Sequence, residues 1–96
     1  MEKNLKTFRN NIDKIDDEIS ELFIRRLHIV EDIYEYKKSK GMNIYDQKRE
    51  DEVLQKIDKN INVDKYKSEL RSLFKSIMKI SSSYQEKLSG AKKWLH

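Results

Sequence analysis

The chain contains no cysteine and no proline, and its glycines are limited to Gly41 and Gly90. Without cysteine there is neither a disulfide framework nor a thiolate metal site, and with only His28 and His96 as imidazoles, no metal site is expected. Without proline, and with so little glycine, the strongest helix breakers are missing from nearly the whole sequence, so breaks must come from polar runs. Long apolar runs are missing too. No stretch approaches the roughly 18 apolar residues of a membrane span, and the N-terminal MEKNLKTFRNNIDKID is charged throughout and lacks an apolar leader core. These absences lead to the expectation of a soluble, cytoplasmic protein with no membrane partner.

An excess of one charge is also lacking. The 21 basic and 17 acidic residues leave a net charge of +4, and the two signs alternate along the chain without forming a block. A nucleic-acid binder of this size more often shows a basic stripe with exposed aromatics, so no nucleic acid is expected as a partner. Apolar residues make up 36% of the 96. That supplies one domain, and a core marginal for a single copy.

What is present is helical periodicity. Leu5, Phe8, Ile12, Ile15, Ile19, Leu22, Arg26, Ile29, Ile33 and Tyr36 follow an alternating spacing of three and four without a slip. The spacing predicts one helix from about Leu5 to about Lys40, with Gly41 as its C-terminal cap. GMNIYD then reads as a loop ending at Asp46, the N-cap of a second helix over about Gln47 to Lys59 that buries Val53, Leu54 and Ile57. The segment from Asn60 to Asp64 reads as the connection to a third helix, about Lys65 to Leu88. Its apolar positions are Tyr66, Leu70, Leu73, Phe74, Ile77, Ile80, Tyr84 and Leu88. The expected organisation is one helical domain over 1–90 with a short tail, 91–96.

Length bears on assembly. About 36 helical residues at 1.5 Å each reach roughly 54 Å, whereas a compact chain of this size has a radius of gyration of about 13 Å. Part of the first helix is therefore expected to leave its apolar seam bare unless a second copy packs on it, which makes homodimerisation the natural remedy.

Several charged and polar positions stand out from this pattern. Arg26 occupies a seam position between Leu22 and Ile29, and a buried guanidinium needs an anionic partner. That partner is either an internal carboxylate or an anionic ligand. Lys37 follows eleven residues later, within about 20° of rotation and about 16 Å along the helix, so the two cations can bracket one small molecule. Alone, Lys37 also suits a helix C-terminus electrostatically. Arg9 lies about 25 Å before Arg26 on the same rod and reaches the same ligand only from another chain.

At the start of the second helix, Asp46 and Glu50 are favourable next to a helix N-terminus, whereas Arg49 opposes the dipole there. On the third helix the face Leu70, Phe74, Ile77 changes to Ser81 and Gln85. This is either a helix end emerging into water or a buried hydrogen-bonding strip whose Gln85 donates without being charged.

Taken together, Phe8-Arg9 followed by Ile12-Asp13, then Arg26, Lys37, Asp46-x-x-Arg49-Glu50, and Phe74-x-x-Ile77 leading to Ser81-x-x-x-Gln85 resemble the all-helical chorismate mutases over about residues 5 to 88. Departures are Asn43, where relatives often carry proline, and the tail. The resemblance implies an intertwined homodimer of three-helix chains with two shared active sites, and conversion of chorismate to prephenate without a cofactor. It further implies that Arg26 and the Arg9 of the second chain clamp the substrate carboxylates. Lys37 and Gln85 would hydrogen-bond the ether oxygen, Glu50 and Asp46 would hold the ring hydroxyl, and Arg49 and Ser81 would complete the shell. Two other readings stay open: an isochorismate-pyruvate lyase of the same fold, and a non-catalytic helical dimerisation module.

Overall fold

The structure, a computed structural model, describes residues 2–90, with side chains from residue 4 onward. The described residues form three α-helices and one 3-10 helix, with no strand among them: α1 (Glu2–Lys40), α2 (Gln47–Lys59), the 3-10 helix (Ile61–Tyr66) and α3 (Lys67–Leu88). None of the helices is long and apolar enough to cross a membrane. The chain divides into two compact units, the first ending at Val30 and the second beginning at Glu31.

In the first unit, α1 presents its apolar residues to solvent. Leu5, Phe8, Ile12, Ile15, Ile19 and Leu22 are all exposed, Phe8 to 63% and Leu22 to 58%. Phe23, Arg26 and Leu27 are half-buried and Val30 is buried. Ile29, Ile33 and Tyr36, which continue the same spacing, are exposed as well, and the buried positions are instead Val30 and Tyr34, one residue along from Ile29 and Ile33.

The second unit holds the end of α1 and the remaining helices. The helix terminates where the sequence places the stop: Gly41 takes φ +63, a conformation glycine adopts without a Cβ penalty. Met42 N–H donates to the carbonyl of Lys37 at 2.8 Å and Gly41 N–H to that of Lys38 at 3.3 Å. This pair of bonds is the Schellman closure, satisfying two carbonyls that the helix leaves open. Lys37, Lys38 and Lys40 in the last turn complement the helix dipole.

Asp46 caps α2 as expected, its Oδ1 accepting from the backbone N–H of Arg49 at 3.0 Å. One face of α2 turns inward, with Ile57 buried and Val53 and Leu54 half-buried. α2 packs on α3. Across that pair, Arg71 Nη1 donates to both carboxylate oxygens of Asp58 at 2.7 Å.

The third helix differs from expectation at its start. Residues 61–66 are not an irregular connection but a 3-10 helix, opened by Asn60, whose Oδ1 accepts from Asn62 N–H at 3.0 Å. Tyr66 therefore precedes α3 as its N-cap and is exposed, rather than serving as its first apolar residue. The local side-chain cap at Asn60 competes with α-helical pairing and holds the tighter turn. Further along α3, Leu70, Phe74 and Ile77 are half-buried and Met78 is buried, while Leu73 and Ile80 remain exposed.

The resulting core is small. Among the described residues the buried apolar ones are Val30 in the first unit and Tyr34, Ile57 and Met78 in the second, and no large side chain is fully enclosed. At about 1.5–3 kcal/mol for each fully buried aliphatic or aromatic side chain, so few contribute little against the ordering of a whole chain.

Candidate functional site

The two units share out the expected site residues. Arg9 and Arg26 belong to the first and Lys37, Asp46, Arg49, Glu50, Ser81 and Gln85 to the second. Arg9 is exposed and lines a surface depression with Leu5, Lys6 and Asn10. Arg26 is half-buried. Seventeen residues of one helix separate the two guanidinium-bearing positions, about 25 Å along the axis, so they do not meet within this helix.

Lys37 is half-buried, and its Nζ donates to the carbonyl of Ile44 at 2.8 Å. The lysine is thus tied to the loop that delivers Asp46. An ammonium has three protons to donate, so this bond engages one of them and leaves the group able to serve a second acceptor.

The first turn of α2 gathers Asp46, Arg49 and Glu50. Glu50 is half-buried and its backbone N–H donates to the carbonyl of Asp46 at 3.1 Å. Asp46 is exposed, with one carboxylate oxygen engaged as the cap. Arg49 points outward: its side chain is largely exposed and its Nη1 lies 3.5 Å from Glu52.

On α3 the change from apolar to polar is a change of chemistry within a buried face, not an emergence into water. Ser81 is 7% exposed and Gln85 6%, one helical turn apart. The Ser81 hydroxyl donates to the carbonyl of Ile77 at 2.8 Å. Gln85 Oε1 is buried and has no hydrogen-bond partner. A buried acceptor left unmatched costs about 1–3 kcal/mol, and such groups mark places where a fold holds a polar atom for something other than stability. Turning the amide by 180° presents NH2 at the same point, so the position can offer an uncharged donor.

Next to Gln85, Tyr84 O–H donates to Glu31 Oε2 at 2.5 Å. The hydrogen bond to Glu31 raises the phenol above its ordinary value, with desolvation and the negative charge of Glu31 acting in the same direction. Spacing alone placed Tyr84 among the apolar residues of α3 and gave Glu31 no role. The available signal was the hydroxyl itself, since a tyrosine on a packed face needs a partner at its polar end.

Against known proteins, the family model described as chorismate mutase type II matches residues 8–86. No curated protein and no solved structure gives a match.

Proposed function

The chain belongs to the chorismate mutase type II family, and from that premise we propose that it converts chorismate to prephenate. The reaction is a [3,3]-sigmatropic rearrangement, supplying a precursor of phenylalanine and tyrosine in the cytoplasm. The observation that carries the reading is Gln85, a neutral amide held buried with an unmatched oxygen, one turn from the buried Ser81.

A pericyclic step suits these residues. One C–O bond breaks as one C–C bond forms, no proton is transferred, and no covalent intermediate or cofactor is required. Catalysis then consists of holding the reactive conformer and stabilising the negative charge that grows on the ether oxygen. Lys37 and Gln85 donate to that oxygen. Arg26 and the Arg9 of a second chain bind the two carboxylates, Glu50 and Asp46 accept from the ring hydroxyl, and Ser81 and Arg49 complete the enclosure, Arg49 by turning from Glu52. A millionfold acceleration corresponds to about 8 kcal/mol. Two or three charge-assisted hydrogen bonds, preorganised in a dry pocket, are of the right size to supply it.

The exposed seam of α1 supports a homodimer as the active form, since six consecutive seam positions from Leu5 to Leu22 face solvent in the single chain. The seventeen-residue separation of Arg9 and Arg26 supports a site shared between chains. The test is disappearance of chorismate with the product identified. Prephenate is the expected product. No turnover of chorismate, or release of pyruvate from isochorismate in its place, overturns the reading.

A further inference from the structure

Gln85 raises a problem of orientation. Its Oε1 makes no hydrogen bond, so the oxygen does not fix the direction of the side chain. A donor aimed at a developing charge is effective only when its direction is set before the reaction begins. The backbone of α3 and the neighbours of Gln85 there therefore bear on where the amide sits.

One neighbour with a long-range partner is Tyr84. Its hydroxyl bonds the carboxylate of Glu31, 53 positions away in sequence, joining α3 to the C-terminal part of α1. Both residues are half-buried, and a phenol donating to a carboxylate is a charge-assisted hydrogen bond, the stronger class. Within α3, Tyr84 is bonded directly to Gln85 and lies three positions from Ser81 on the adjoining face. Within α1, Glu31 stands on the same stretch as the buried Tyr34 and the half-buried Lys37.

Resting on the mutase reading above, we infer that the Tyr84–Glu31 hydrogen bond is a positioning device, setting the register of α3 on the end of α1 so that Gln85 and Lys37 address the same oxygen. Neither Tyr84 nor Glu31 touches the substrate in this arrangement. Their effect is on the geometry of the two donors, and misplacement by about 1 Å is enough to cost up to a hundredfold in rate.

The experiment compares four variants with the wild type in kcat, KM and melting temperature. Tyr84→Phe keeps the ring and its packing while removing the hydroxyl. It is expected to lower kcat about tenfold, with KM changed less than twofold and the melting temperature lowered by a few degrees for the lost hydrogen bond. Glu31→Leu should reproduce that loss from the other side, and the double variant Tyr84→Phe/Glu31→Leu should be no slower than either single change. Glu31→Gln keeps an acceptor for the hydroxyl and should restore kcat to near the wild-type value.

Wild-type kcat in Tyr84→Phe, losses that multiply in the double variant, or a loss in Glu31→Gln as large as in Glu31→Leu would overturn the inference while leaving the mutase reading intact. If Tyr84→Phe does not fold, the contrast between Glu31→Gln and Glu31→Leu decides alone. Absence of chorismate turnover by the wild type would instead remove the mutase reading, and this inference with it.

Discussion

Lys37 Nζ donates to the carbonyl of Ile44 across 2.8 Å, while the carbonyl of Lys37 accepts from Met42 N–H. The residue is therefore held at both ends, its backbone by the helix closure and its side chain by the loop beyond. That loop carries Asp46. A single lysine thus couples the stop of α1 to the start of α2, two segments the sequence separates by the loop GMNIYD.

Replacing Lys37 by Met removes the charge but keeps most of the aliphatic stem. We expect kcat to fall by about a hundredfold or more, the scale of losing one preorganised donor. The melting curve should show a smaller effect, about 1 kcal/mol, for the lost bond to Ile44. Steady-state kinetics beside thermal unfolding separates the two contributions.

Gln85→Leu is expected to divide stability from activity. The substitution removes the unmatched acceptor, so stability should hold or rise by about 1 kcal/mol, while chorismate turnover falls sharply. A variant that lost stability and kept its rate would show that the amide serves packing. Gln85→Glu gives a second readout. Burial should push the new carboxyl upward, and activity should be confined to the lower pH at which it is neutral and able to donate.

Tyr84 supplies a pH signature of its own. Its phenol is raised above the ordinary value of 10.0, chiefly by donating to Glu31. The protonated phenol is therefore favoured in the folded state. Its stabilising effect is fully present below about pH 10 and is lost as pH rises through the raised value. In an ultraviolet titration of phenolate absorbance, Tyr84→Phe should delete a component that ionises late, and Glu31→Leu should move that component to lower pH.

At Gly41 the backbone has φ +63 and no atom lies within 4 Å of where a Cβ would sit. Gly41→Ala is thus free of clash, and any cost comes from the left-handed conformation alone. A loss of about 1–2 kcal/mol is expected in denaturant unfolding, with the slope unchanged.

Much of this architecture was legible because it depends on local rules. Gly41, Asp46 and the unbroken spacing from Leu5 to Tyr36 mark helix extent and ends through backbone geometry and periodicity, and the structure places those ends where the residues indicate, although the positions α1 buries are Val30 and Tyr34 and not Ile29, Ile33 and Tyr36. The 3-10 turn at Asn60 was not legible, since a side-chain cap and a plain connection look alike in NINVD. In the site, the polar strip of Ser81 and Gln85 was visible as a change of residue type on one face, although only the fold decides that it is buried. The bonds of Lys37 to Ile44 and of Tyr84 to Glu31 were hidden. Periodicity reports which way a side chain faces and says nothing of what meets it there, least of all across 53 positions.

The bare face of α1, from Leu5 to Leu22, has a thermodynamic consequence. If a second copy covers it, folding and association become a single equilibrium, and the melting temperature rises with protein concentration. Ile15→Glu places a charge in the middle of that stripe. It should abolish the concentration dependence, sediment as a single chain and show no turnover. At high dilution the wild type should come to resemble it, its rate falling faster than in proportion to the protein present.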